Sequence, residues 1–156
     1  MSLLLELDEK GSFWEDTQRI WIQEIVFVAQ QLGLRIGYSF RWKNIGPYSP
    51  DLTDDGFEML SLPRKIWKDL VNLEELQKET VDRLRTILNS IKESFSDIEK
   101  YKAMQLFASL LFLVRCAYPK EKTRDTAQET LKKYQDFDPE QLEKAWQLLE
   151  SYKLVG

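Results

Sequence analysis

Between positions 34 and 60 the chain reads LRIGYSFRWKNIGPYSPDLTDDGFEML, and this order of residues allows little besides a strand, a tight loop and a helix. Ile36, Tyr38, Phe40 and Trp42 alternate with Gly37, Ser39, Arg41 and Lys43. That period of two puts four large apolar side chains on one face of a strand near 35–43. Asn44-Ile45-Gly46-Pro47-Tyr48 is turn chemistry, and Ser49-Pro50 supplies an N-cap followed by proline at the first helical position. The helix predicted over 50–60 can turn Leu52, Gly56, Met59 and Leu60 to a core, while Asp51, Asp54, Asp55 and Glu58 form a separate acidic stripe. Glycine in mid-helix costs roughly 1 kcal/mol relative to alanine, so a close approach of another backbone is expected at Gly56. A lone strand leaves its backbone groups unpaired, and residues 3–7 or the tail 152–155 are the candidate partners.

The remaining pattern is helical. Ile22, Ile25, Val26, Ala29 and Leu32 recur at helical spacing from about residue 15, with Trp21 and Val28 widening the stripe and Gly33 placed for a left-handed cap. Pro63 opens a short helix to about residue 70. Asn72 with Glu75 gives a capping signal for a long amphipathic helix over 73–94, and Ser96 with Glu99 repeats it before an apolar helix over 97–118 that Pro119 ends. A mostly charged helix over about 121–134 carries only Ala127, Leu131 and Tyr134 as its seam. The last begins at Asp138-Pro139 with Leu142, Ala145, Trp146, Leu149 and Tyr152 on one face. The expectation is a mainly α, single compact domain over 1–156, with six to seven helices and one small β element. At 156 residues such a domain buries about 70% of its unfolded surface, and 43% hydrophobic residues supply the core.

The composition excludes more than it identifies. There is no histidine, which removes Ser-His and Cys-His pairs, histidine metal ligation and the ordinary neutral-pH base. The six glycines build no phosphate loop and no dinucleotide fingerprint, so no cofactor is expected and the chain does not read as an enzyme. A net charge of -4 disfavours polyanions and anionic membranes. The apolar stretch 103–118 is interrupted by Gln105, Ser109 and Arg115 and falls short of the roughly 20 residues of a membrane span. The start MSLLLELDEK lacks the basic flank of a secretory signal. The single Cys116 forms no internal disulfide and sits in an apolar run, reading as a small buried hydrophobe in a reducing, cytoplasmic setting.

Three surfaces carry candidate chemistry. The acidic stripe could gather a hard cation, but one helix rarely closes such a site, and a solvated face beside a helix N-terminus is the favoured reading. The basic clusters Arg64, Lys65, Lys68 and Lys120, Lys122, Arg124 read as solvated surface. The aromatic strand and loop could anchor a protein partner, with Arg41, Trp42, Tyr48, Asp51 and Asp55 as the candidate binding residues.

Ile22-Gln23-Glu24-Ile25-Val26-Phe27, then Gly37-Tyr38 and Phe40, then Gly46-Pro47-Tyr48-Ser49-Pro50 with Leu52 and Asp55, resemble the YwgA-like family of small uncharacterised prokaryotic proteins. That family is in turn similar to the Panacea or SocA-like domain of antitoxins and proteolytic adaptors. Leu106, Ala108, Ser109 and Leu110, with Ala145-Trp146 and Leu148-Leu149, echo its C-terminal half. The chain departs from the family at Glu24, where lysine is typical, and over 61–95, where a wing-like strand pair is common and a helix is read here. The resemblance implies a fold derived from a winged helix and a regulatory, antitoxin-like or adaptor-like role. A winged-helix DNA binder is the alternative, but a helix over 50–60 with four carboxylates and no Lys or Arg is a poor reader of DNA. A carboxylate-dependent metal enzyme ranks third, lacking a second ligand cluster. The expectation is therefore a non-enzymatic module that binds another protein near the strand and the GPYS loop, rather than nucleic acid or membrane. The amphipathic helix 73–94 is long enough for a homodimer.

Overall fold

The computed structural model of the chain describes residues 15–60, 75–117 and 123–155. The protein is mainly α, and the described elements run α1 (Asp16–Gln31), β1 (Arg41–Lys43), β2 (Gly46–Tyr48), α2 (Pro50–Leu60), α3 (Glu75–Ser94), α4 (Lys100–Arg115), α5 (Arg124–Lys132) and α6 (Pro139–Ser151). The helix expected over 63–70, the cap Asn72 and the segment 3–7 lie outside the described residues.

The centre of the fold is α4, in which Ala103, Met104 and every residue from 106 to 113 are buried. A helix apolar on all sides must be covered on all sides. α1 lies along it, with Trp21 edge-on to Tyr101 at 5.3 Å and Phe27 against Phe112 at 5.6 Å between ring centroids. α3 contributes Val81, Leu84, Ile87, Leu88 and Ile91, and α5 contributes Ala127 and Leu131. Leu142, Ala145, Trp146 and Leu149 complete the core from α6. All six helices place side chains in one contiguous core. Each fully buried Phe or Leu in it contributes about 1.5–3 kcal/mol relative to exposure.

Helix ends follow local chemistry at several places. Gly33 has φ +104, its N–H donates to Gln30 O at 3.0 Å, and Leu34 N donates to Ala29 O at 3.0 Å, the paired bonds of a Schellman motif. Asp138 forms a reciprocal capping box with Gln141 ahead of Pro139. Thr123 caps α5 by accepting from Thr126 N. The Ser96 signal is not used: α4 begins at Lys100, its N-cap is Glu99, and that side chain makes no capping bond.

The β element differs from expectation in length and in partner. The ladder covers only Arg41–Lys43, and it pairs antiparallel with Gly46–Tyr48 in the register Arg41 to Tyr48, Trp42 to Pro47 and Lys43 to Gly46. The loop expected as a turn is thus half turn and half strand. Pro47 fits because it faces Trp42, at the pair where the ladder needs no N–H. Neither end of the chain supplies the partner among the described residues. Tail residue Leu154 instead donates to Leu149 O at 2.9 Å and buries its side chain. Upstream, Gly37 at φ +87 breaks the extended run and leaves Ile36 exposed. Tyr38, Phe40 and Trp42 still pack on the core, as the alternation predicts.

Gly56 is buried within α2, while Asp51, Asp54, Asp55 and Glu58 are exposed. Cys116 corrects its expected burial: α4 stops at Arg115, so the cysteine occupies the C-cap and is exposed. Among the described residues no helix is long and apolar enough to cross a membrane.

Candidate functional site

The hairpin and the segment before it are held on α1 by two glutamines. Gln23 donates to Ser49 O at 2.9 Å and accepts from Ser49 N at 2.8 Å. Gln30 repeats the pattern one segment earlier, accepting from Tyr38 N at 2.8 Å and donating to Tyr38 O at 2.9 Å. Each side-chain amide thereby does for one residue what a neighbouring strand would do for it. Tyr38 therefore needs no ladder partner. Between the two glutamines Phe27 meets the Phe40 ring edge-on at 5.3 Å. Positions 23, 27 and 30 fall at i, i+4 and i+7, one face of α1. That spacing is visible in the sequence, but the apolar stripe beside it dominated the reading.

Gln23 also donates to Thr53 Oγ1 at 2.8 Å, and the Thr53 hydroxyl donates to the Tyr48 hydroxyl at 2.9 Å. Ser49 caps α2 weakly, accepting from Leu52 N at 3.4 Å. The Lys43 ammonium stands 4.2 Å from the centroid of the Tyr48 ring, a favourable cation–π arrangement on the outer side of the hairpin.

The hairpin divides the five candidate residues. Trp42 faces inward, its ring 5.8 Å from Phe112 and 5.6 Å from Tyr134, and its indole N–H is buried without a hydrogen-bond partner. Arg41 and Tyr48 are paired across the strands on the other side, with Arg41 exposed. Asp51 and Asp55 are exposed on α2, and Asp55 accepts a 2.7 Å bond from the Tyr38 hydroxyl. Burial pushes the Tyr38 phenol well above its ordinary range, and the bond to Asp55 and the charges of Asp55 and Asp51 push it further. The phenol is therefore a neutral donor. The acidic stripe gathers no group of three or more metal-ligating side chains among the described residues. Of the basic clusters only Arg124 is described, and it pairs with Glu143 at 3.3 Å.

A shallow depression of about 490 Å³ opens at the hairpin tip, lined by Trp42, Lys43, Asn44 and Ile45. Tyr134 beside it is 47% exposed and Ile45 is 39% exposed. Arg41, Tyr48, Asp51 and Asp55 do not line it. Of the five candidate residues only Trp42 lines it, and Ile45, which the sequence presents only as a turn residue, lines it as well.

Beneath the same hairpin lies a buried polar cluster that no local pattern announced. Gln135 donates to Asn44 O and to Ser109 Oγ, both at 3.0 Å, tying the turn to α4. Glu24 on α1 is 1% exposed, and neither carboxyl oxygen has a hydrogen-bond partner. A Cβ on Gly46 would lie 2.9 Å from Ser109 Oγ and 3.8 Å from Glu24 Oε1, so the missing side chain lets the hairpin backbone come close to Ser109, with Glu24 next to the same spot. Burial alone raises the Glu24 carboxyl well above the usual carboxylate range. Compared with known proteins, the chain matches no family model, no curated protein and no solved structure.

Proposed function

We propose that this chain is a non-enzymatic interaction module, of the antitoxin-like or adaptor-like kind its residues resemble, which binds a partner protein at the hairpin tip. The setting in which it works is cytoplasmic. One observation carries the reading: Ile45 occupies a two-residue turn and is 39% exposed beside Trp42 and Tyr134. Hairpin turns favour Asn, Asp and Gly, and an isoleucine there serves neither the turn nor the core. A branched apolar tip next to a partly exposed aromatic pair is the kind of anchor from which interfaces draw most of their energy. Arg41 and Lys43, on the solvent side of β1, add a cationic rim. The acidic face of α2 supports a protein partner over DNA.

The reading is tested by comparing what the full chain captures from cells that express it, wild type against Ile45→Asp, with Glu140→Ala as an exposed control. Ile45→Asp is expected to weaken capture of a discrete protein by about tenfold or more, as loss of an interface anchor does, while the control captures it normally. Duplex DNA bound with a steep salt dependence, equally by all three, would refute the proposal.

A further inference from the structure

Glu24 is the one ionisable side chain in the buried set among the described residues, and it sits beside the hairpin. A buried carboxyl with no partner is tolerated as the neutral acid, but as an anion it needs a cation, several donors or water. Among the described residues neither a cation nor a set of donors reaches its oxygens. On α4 the cations sit near the helix ends, with Lys100 over the Trp21 and Tyr101 rings and Arg115 donating to Gln31 O. On β1 Arg41 and Lys43 are exposed, and the carboxylates of α2 are exposed. From Lys78 to Glu93 the charged side chains of α3 lie at its exposed or half-exposed positions. What faces Glu24 is Gly46, with Ser109 beside it.

Water must therefore be admitted for the anion to form, and the elements around Glu24 differ in how readily they yield. α1 and α4 are helices of 16 residues each whose middle portions are buried. The hairpin is two strands of three residues each, a length that has little stability of its own. Its flanks are pinned by Gln30 at Tyr38 and by Gln23 at Ser49, so the part between them can lift without releasing its ends. Lifting gives up the hydrogen bond by which Gln135 holds the turn at Asn44 O, and the packing of Trp42 on Phe112.

We propose that Glu24 is a proton-operated latch: protonated, it lets the β1–β2 hairpin lie on α1 and α4, and on losing its proton it lifts the hairpin and changes the surface presented at Trp42 and Ile45. The use of this latch in partner binding rests on the reading above, but the latch itself is measured without a partner. The sign follows from linkage. A carboxyl raised by burial favours the docked state fully below its ordinary range, and that favour is lost as pH rises to the raised value.

The test is amide hydrogen exchange of the full chain, followed over the segment 41–48 and over 103–113 from about pH 5 to about pH 8, with intrinsic exchange rates divided out. In the wild type, protection over 41–48 is expected to fall by about tenfold or more as pH rises, while 103–113 keeps its protection. In Glu24→Gln, which keeps the shape and removes the charge, protection over 41–48 should stay level. An equal fall in both proteins, or no fall in the wild type, overturns the latch. Should Glu24→Gln fail to fold, carbon-13 spectra of glutamate-labelled wild type decide instead: one carboxyl titrating well above the others, in step with the loss of protection, supports it, and ordinary titration of all of them overturns it. Loss of the latch with Ile45→Asp still abolishing capture refutes this inference alone, whereas a working latch with unaffected capture refutes the partner site alone.

Discussion

Gln23→Ala is expected to destabilise the fold on the order of 3 kcal/mol, read as a lowered midpoint of urea unfolding with an unchanged slope. Ser49 is fully buried, and its N–H and C=O both have Gln23 as partner. Removing the amide strands the Ser49 N–H away from water, at about 1–3 kcal/mol, leaves the Ser49 carbonyl to Thr53, whose N–H donates at 3.3 Å, and opens a gap beside both. Gln23→Met separates this from lost volume, since the thioether fills the space and makes neither bond; a loss similar to that of alanine is expected. The consequence reaches the candidate site because Ser49 ends the hairpin and begins α2. If Gln23→Met is as stable as wild type, the bracket around Ser49 does not hold the segment.

Gly46→Ala should cost about 2–4 kcal/mol, for two separable reasons. The residue stands at φ +124, a conformation L side chains rarely adopt, and the new Cβ would come within 2.9 Å of Ser109 Oγ. That hydroxyl cannot swing away freely, because it accepts from Gln135 in a buried position. Adding Ser109→Ala removes the contact and leaves the backbone strain, so the double variant should recover about 1 kcal/mol relative to additivity. Strict additivity in urea unfolding would show that the hairpin does not press on α4 at this point.

Much of the helical frame was legible because its signals are local. Gly33 after the α1 stripe, Ser49-Pro50 and Asp138-Pro139 each mark a boundary through chemistry confined to a few residues, and the structure uses all three. The hairpin was only half legible. Period two in 36–42 does report which side chains face the core, yet whether a strand pairs depends on what satisfies its backbone, and at Tyr38 that is a glutamine eight positions earlier. Gly37 at positive φ could not be told from a glycine in an extended run. Ser96 with Glu99 shows the converse, a capping signal that tertiary packing passes over.

The cluster beneath the hairpin was not legible at all. Glu24, Ser109 and Gln135 come from three distant parts of the chain, and each looks locally like an ordinary polar interruption of a helix or turn. Only packing makes them neighbours. Glu24 is buried without a hydrogen-bond partner, beside Gly46 of the hairpin whose turn carries Ile45.

The claim that the hairpin tip is the working surface is tested most directly by placing a photocrosslinking amino acid at position 45, and at position 140 as a control, in cells that express the protein. Irradiation is expected to give one discrete protein adduct from position 45 and none of that mass from position 140. Adducts from position 140 alone, or adducts to nucleic acid from position 45, would contradict it.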